Sequence, residues 1–449
     1  MSPTYSTGET ASNTMKKSLL ALLALFAVAL TATVTASAQA TPDTSVTATV
    51  RVSTWESGAN LQYWTNAISD FGKLYPNITV QLEAVPNGYG TNLLAQIAAG
   101  NAPDIWQQGD GDVATYVAKG TVTDLTSYIS GKNGIDTSAL YPTTLTMGQV
   151  NGKQYYMTKD YSPLIVYYNT DLLKKAGLDA PKDGWTWADF VKYAQKLTVD
   201  ANGNDATSAN FDPKHIKQWG VQMQWTWDRA IEPIIDAAGG SFISPDGKTT
   251  TGYMNSDATV SAVQWYVDLY NKYHVSPTSD DVSSFSGADL FQGGQVAMLW
   301  TGIWPADGYA QVKGFNFSTV SLPVGPKGAA NVLCWAGFGI NAKSQNKDAA
   351  WLFLKYITAG DGAKQYAKYA LTSVKSLAQE QQTAAPYKAA AYNGLADLKP
   401  LSAFTNPHFG DCAAKYFDQE LETSLKSGVA VKDAMTKAAS EADACLAQS

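Results

Sequence analysis

Four turns of this sequence bring indole rings next to groups that can make several hydrogen bonds. They read TWESGAN (54–60), WQQGDGD (106–112), MQWTWD (223–228) and WTGIW (300–304), and each follows or ends a strand-like run. In an open α/β sheet, ligands collect beyond the carboxyl ends of the strands, so these turns are where a binding site is expected. Their composition suits a sugar. The C–H face of a sugar ring lies against a flat aromatic surface, while carboxylates and amides at the rim bond its hydroxyls. Hydrogen bonds to charged groups are the stronger class, about 1.5–3 kcal/mol each.

The candidates from these turns are Trp55, Glu56, Asn60, Trp106, Asp110, Asp112, Trp225, Trp227 and Arg229. Each has a bland alternative. Trp55 and Trp106 stand at strand ends and could serve the cleft or the core. Trp225 and Trp227 are two apart and point to one side of the chain, so one can stack on a ligand while the other packs beside it. Arg229 could clamp a hydroxyl or an acidic group, or lie on a helix surface. Trp64, Trp187, Trp265 and Trp351 fall within helical periodicity and are expected in the core. Asp104 is expected to brace its own loop.

Stepping outward, the residues must be held by alternating strands and helices. A Val/Thr-rich strand (46–55) is followed by a helix with Leu61, Trp64, Ala67, Ile68 and Phe71 at helical spacing, then by the strand NITVQLEAV. This β-α-β order predicts a mostly parallel sheet. Further on, 155–169 reads as paired strands, TWADFVKYAQKL as a helix capped by Thr186, WGVQMQW as a strand and AIEPIIDAAGG as a helix ending on glycine. The C-terminal region is Ala-rich and mostly helical.

Composition narrows the function classes. The formal net charge of −7 argues against a nucleic-acid binder, which needs basic stripes to displace counterions from phosphates. The segment beginning at Met15 has Lys16 and Lys17, an apolar core from Leu19 to Leu30 and small residues at Ala36, Ala38 and Ala40, the layout of a secretory signal. Residues 1–40 are therefore expected to be removed, with translation starting at Met15. That apolar core is shorter than the roughly 20 residues that span a bilayer. No Cys stands at the cleavage position, so the mature chain is expected free in a periplasm or outside the cell. Its length, about 400 residues, predicts two lobes. Cys334, Cys412 and Cys445 lack metal-ligand spacing, and the three histidines are isolated, so neither a metal site nor a cofactor is expected. A Cys412–Cys445 bridge is expected because both lie in the helical C-terminal region, leaving Cys334 as a buried thiol.

Five stretches together resemble a known family: FGKLYPNITV, AGNAPDIW (99–106), LIVYYNTDLLKKAGL with TWADF (164–190), FQGGQVAMLWTGIW (291–304) and GFGINAKSQNKDAAWLFLKYI (337–357). In this order they resemble the extracellular solute-binding proteins of ABC importers, in the group that includes maltose-binding protein and other sugar binders. The resemblance implies a two-lobed α/β fold of the periplasmic-binding-protein type II kind, with the ligand trapped between lobes by hinge closure. It implies crossings near Tyr161–Leu164, Ala336–Ile340 and Leu398–Phe404. The N-lobe would then be 41–162 plus 338–400, and the C-lobe 163–337 plus 401–449. It places Trp304 at the ligand's face, makes Trp335 a further candidate, and sets Asp160 at the first crossing; Asp160 beside Lys159 could otherwise be an exposed ion pair of little value. Trp300 is left between core and cleft. The expected partners are a carbohydrate, with a di- or oligosaccharide favoured, and the membrane permease, for a chain that works as a monomer.

Two other readings use the same residues. A secreted glycoside hydrolase also combines Trp with carboxylates, but no acid–nucleophile pair is fixed by spacing and no eightfold β-α repeat is seen. The same fold could instead bind a non-sugar solute such as a polyamine.

Overall fold

A computed structural model describes residues 44–58, 60–285, 289–368, 370–399 and 401–448. The expected leader, 1–40, lies outside the described residues. The strands are β1 (Ala48–Thr54), β2 (Ile78–Ala84), β3 (Ile105–Gly109), β4 (Tyr156–Asn169), β5 (Val199–Asp200), β6 (Ile216–Gln222), β7 (Val296–Gly302), β8 (Phe317–Val320) and β9 (Leu333–Ile340). The main helices are α1 (Asn60–Leu74), α2 (Tyr89–Ala99), α3 (Trp187–Leu197), α4 (Asp228–Ala237), α5 (Asp257–Asn271), α6 (Lys347–Ala359), α7 (Lys415–Ser427) and α8 (Val431–Leu446).

One sheet runs through both halves of the molecule in the order β2-β1-β3-β9-β4-β7-β6-β5, with β8 also paired to β4. Pairing is parallel among β1, β2 and β3 and between β6 and β7. It is antiparallel where β9 meets β3 and β4, and where β4 meets β7 and β8. The expected mostly parallel sheet is thus confined to the outer parts. The middle is antiparallel because β4 and β9 carry the chain between the halves in opposite directions. Residues 155–169, read from sequence as paired strands, form the single 14-residue strand β4. Asp160, Ser162 and Pro163 favour turns, but pairing with Ala336, Cys334 and Leu333 of β9 keeps them within one continuous strand.

Two main cores flank this sheet. The first gathers Val50, Val52, Trp64, Phe71, Ile105, Phe338, Trp351 and Phe353. The second gathers Leu164, Val166, Phe190, Ile231, Tyr266, Met298, Trp300 and Phe417. Along β4, Leu164 and Val166 face the second core while Ile165 and Tyr167 face a smaller cluster with Phe291, Tyr309, Ala390 and Ala391, the period-two alternation of a strand. Ala389–Gly394 therefore packs with the second half of β4 in this smaller cluster, while Leu377 belongs to the first core. Leu401 and Ala403 already belong to the second core.

Local signals account for α3, whose buried face belongs to the second core. Thr186 caps α3 reciprocally with Asp189: the Thr hydroxyl accepts from the Asp189 N–H at 3.2 Å and the Asp189 carboxylate accepts from the Thr186 N–H at 2.9 Å. Cys412 and Cys445 are bonded, tying the turn Gly410–Ala414 before α7 to the end of α8 with Cα atoms 5.5 Å apart, and Cys334 is a free thiol. Among the described residues no helix is long and apolar enough to cross a membrane.

Candidate functional site

Where β4 and β9 cross the middle of the sheet, their register slips. Ala336 pairs with Asp160 and Gly337 with Thr158, so Lys159 is an extra residue opposite no partner. Such a bulge re-aims side chains. Neighbours on a regular strand point to opposite faces, but here Lys159 and Asp160 line the same cavity of about 360 Å³ and their charged groups lie 3.1 Å apart.

Trp55, Glu56, Asn60, Asp160, Trp304 and Trp335 all line this cavity. Lys159 Nζ also donates to Glu56, whose second oxygen accepts from Asn60 Nδ2 at 2.5 Å, and Tyr366 Oη donates to Asp160. The ammonium sits 4.7 Å from the Tyr366 ring centre and 5.9 Å from that of Trp55. Burial alone would raise the Glu56 carboxyl, but the Lys159 charge and its hydrogen bonds hold it below the ordinary glutamate value. Burial likewise works against the Lys159 ammonium, and Asp160 with Glu56 outweighs it, so the lysine stays charged.

A second cavity of about 280 Å³ shares Trp304, Cys334 and Trp335 with the first and adds Asp110, Trp227, Asp228 and Arg229. Arg229 Nη1 donates to Asp228, and its Nε lies 3.5 Å from Asp110 Oδ1. The other Asp110 oxygen accepts from the Trp335 N–H at 3.1 Å. Burial pushes the Asp110 carboxyl up despite these partners. The two cavities repeat one arrangement: a buried cation between two carboxylates, beside shared aromatic walls.

The walls are placed by glycines. A Cβ on Gly302 would meet the Trp304 ring at 2.0 Å, and one on Gly337 would meet the Trp335 ring at 2.3 Å. Each indole is laid on bare backbone. Trp335 is held further by its Nε1–H donating to Thr158 Oγ1 at 2.9 Å and is 4 % exposed. Trp304 has Trp227 edge-on at 6.0 Å and is 47 % exposed, so much of the ring is open to the cavities.

Three sequence candidates do not reach either cavity. Trp106 is fully buried among Leu93, Val113, Tyr116 and Tyr156, because it lies inside β3 rather than at its end. Trp225 takes a positive φ of 44° and packs edge-on against Tyr270 at 5.1 Å. Of the period-two pair, only Trp227 faces the site. Asp112 turns away and accepts from Gln108 Nε2 at 3.3 Å. Trp300 is core, 1 % exposed and edge-on to Phe190. Asp104 braces its loop through the Arg51 N–H and the Ser344 hydroxyl. Sequence reading missed the roles of Lys159, Asp228, Cys334 and Tyr366. The first two adjoin named candidates and could have been found by charge pairing; Tyr366 lies in a helical stretch with no local signal.

Two α/β halves, joined by strands that cross at a cleft walled with aromatic rings and paired charges, define a two-lobed ligand-binding protein. The chain belongs to the bacterial extracellular solute-binding protein family, whose model matches residues 66–392. An ABC substrate-binding protein from Listeria monocytogenes, solved in complex with cycloalternan, superposes with a TM-score of 0.79 at 26 % identity, over 90 % of this chain and 100 % of that one. A probable ABC transporter-binding protein of Deinococcus radiodurans is 27 % identical over 244 residues, 52 % of this chain and 54 % of the relative. The arabinooligosaccharide-binding protein of Bacillus subtilis is 25 % identical over 262 residues, 55 % and 53 % of the two chains. The matches to these two curated relatives thus span about half of the relatives' length.

Proposed function

We propose that this protein is the sugar-capturing receptor of an ABC importer, which binds a di- or oligosaccharide between its lobes and delivers it to a membrane permease. The observation that carries the reading is the exposed Trp304 ring lying between two carboxylate–cation groups, Glu56–Lys159–Asp160 and Asp110–Arg229–Asp228. One aromatic platform shared by two polar cavities suits a ligand longer than one ring. The saccharides named for the Listeria and Bacillus relatives are in keeping with it. Both cations are already engaged by carboxylates, so the cleft offers acceptors in excess, as a ligand rich in hydroxyl donors requires.

The two main cores support an N-lobe of 41–162 plus 338 to about 385, with the C-lobe formed by the rest, including Pro386–Gly394. The chain works as a monomer outside the cytoplasm after loss of its leader, and it turns over no substrate. The experiment is a thermal-shift screen of the mature protein against a panel of neutral mono- and oligosaccharides and polyamines. A ligand at a hundredfold excess over its Kd stabilises the native state by about 2.7 kcal/mol. A clear melting shift with one saccharide and its recovery unchanged after incubation are expected. A response to spermidine alone would replace the sugar reading, and cleavage of the saccharide would replace the receptor by a hydrolase.

A further inference from the structure

The Lys159 side chain ends in surroundings that suit a free amine. An ammonium group has three protons to place. Two go to carboxylates: Lys159 Nζ donates to Glu56, and to Asp160 Oδ2 at 3.1 Å. The third meets Gln107, which is fully buried. With the Gln107 amide turned so that its nitrogen donates to Thr54 Oγ1, its oxygen accepts from Lys159 Nζ at 2.9 Å and from Trp55 Nε1 at 3.3 Å. The Tyr366 and Trp55 rings, 4.7 and 5.9 Å from the nitrogen, add the aromatic faces that attract a cation. Stability alone does not call for this cage, because a buried ion pair contributes little over well-packed apolar residues. The side chain reaches it only because the bulge in β4 turns Lys159 to the face that Asp160 also lines. The second cavity repeats the device: Arg229 stands between Asp110 and Asp228, with its guanidinium 5.8 Å from the Phe409 ring centre. Each carboxylate pair of the cleft therefore comes with a cation from the chain itself.

We propose that Lys159 is a specificity-determining residue: a built-in ammonium that fills a cage otherwise fit for an amine, so that the cleft rejects amines and polyamines and is left to neutral ligands. This rests on the reading of the cleft as a sugar site. An incoming amine has either to displace Lys159 from its acceptors or to lie against a like charge in a site poor in water, and both penalties act against the wrong ligand alone. Glu56 and Asp160 together outweigh Lys159 by one negative charge. That charge is not free to hold an amine in the cage, because three of the four carboxylate oxygens already accept from Lys159, Asn60 or Tyr366. A neutral saccharide meets no such penalty. It stacks on Trp304 and bonds at the rim, with the cage left closed. For a linear polyamine charged at both ends the exclusion applies twice, since Arg229 fills the corresponding place in the second cavity.

The test uses n-propylammonium, the part of the side chain that Lys159→Ala deletes, with n-propanol as its neutral counterpart. Binding to the mature protein is followed by thermal shift and titration calorimetry at constant ionic strength. The wild type is expected to respond to propylammonium no more than to potassium chloride. Lys159→Ala is expected to bind propylammonium at least about tenfold more tightly than the wild type does, and to ignore propanol. A second variant covers the case in which the stranded carboxylates prevent Lys159→Ala from folding. Lys159→Ala with Glu56→Gln removes one of the two charges, keeps Asp160 and both rings, and is expected to show the same preference for propylammonium over propanol. Adding Asp160→Asn to that pair is expected to abolish it. Equal propylammonium affinity in the wild type and the variants, an equal response to propanol, or binding that survives loss of both carboxylates overturns the proposal. A wild type that binds spermidine overturns it together with the sugar reading. If the wild type binds neither saccharide nor amine, the sugar reading fails alone, and the gain of propylammonium binding still decides the role of Lys159.

Discussion

Gly302 leaves room for an indole, and Trp304 occupies it. Because a methyl group there would stand 2.0 Å from the ring and 2.5 Å from Ser162 Oγ, Gly302→Ala is expected to displace Trp304 from its seat. Trp304→Ala removes the platform directly. Since the ring is 47 % exposed, that change should leave the melting temperature of the free protein nearly unaltered, yet weaken saccharide binding by about tenfold or more, the loss of one stacking contact and its buried area. Gly302→Ala should reproduce the binding loss. Titration calorimetry checks both; full affinity in Gly302→Ala would show that the indole needs no such seat. Lys159 makes a different kind of contribution. Its side chain is 3 % exposed and neutralises Glu56, itself 7 % exposed. Lys159→Met therefore strands a buried carboxylate, at a cost of about 3–5 kcal/mol in a denaturant titration. Lys159→Met with Glu56→Gln should recover most of it, which a purely steric role for the lysine would not allow.

At the scale of elements, periodicity was informative where an element has one wet face. α3 declares itself through Thr186, Asp189 and the buried Trp187, Phe190, Ala194 and Leu197. Replacing Thr186 by Ala removes the reciprocal cap and is expected to cost about 1 kcal/mol, seen as a lower unfolding midpoint with an unchanged denaturant slope. β4 was harder to read. Nearly all its residues are buried, on both faces, so no polar alternation marks where it begins or ends. The bulge at Lys159 has no sequence signature either, since it arises from the register of β9, more than 170 residues away. The same limit explains Trp106. A strand end and a strand interior differ by two residues, and that difference decides between cleft and core. The Trp-bearing turns after β1 and β7 were legible because Glu56 stands two residues past the end of β1 and Gly302 closes β7 two residues before Trp304.

For the whole molecule, the sequence order of strands and helices was enough to expect two α/β halves, while the passage of the chain between them depends on long-range packing of β4, β9 and Ala389–Gly394. Charge is distributed just as unevenly. Glu232 and Asp236 are held at about 7 and Asp418 at about 8, each chiefly by burial. In the unfolded chain these groups titrate near ordinary carboxylate values, about 4. Their folded values lie above the unfolded ones, so the native state keeps protons that the unfolded state has released. The stability they contribute is fully present below pH 4 and is lost as pH rises through 7 to 8. Glu56 is shifted the other way and matters only below about pH 4.5, outside that window. The melting temperature of the ligand-free protein is therefore expected to fall between pH 5 and pH 8. A variant combining Glu232→Gln, Asp236→Asn and Asp418→Asn should show a flatter profile across the same range, as checked by calorimetric scans at constant ionic strength. A wild-type midpoint that rises over that range would mean that these carboxyls are ionised in the folded protein, and that their surroundings compensate for burial.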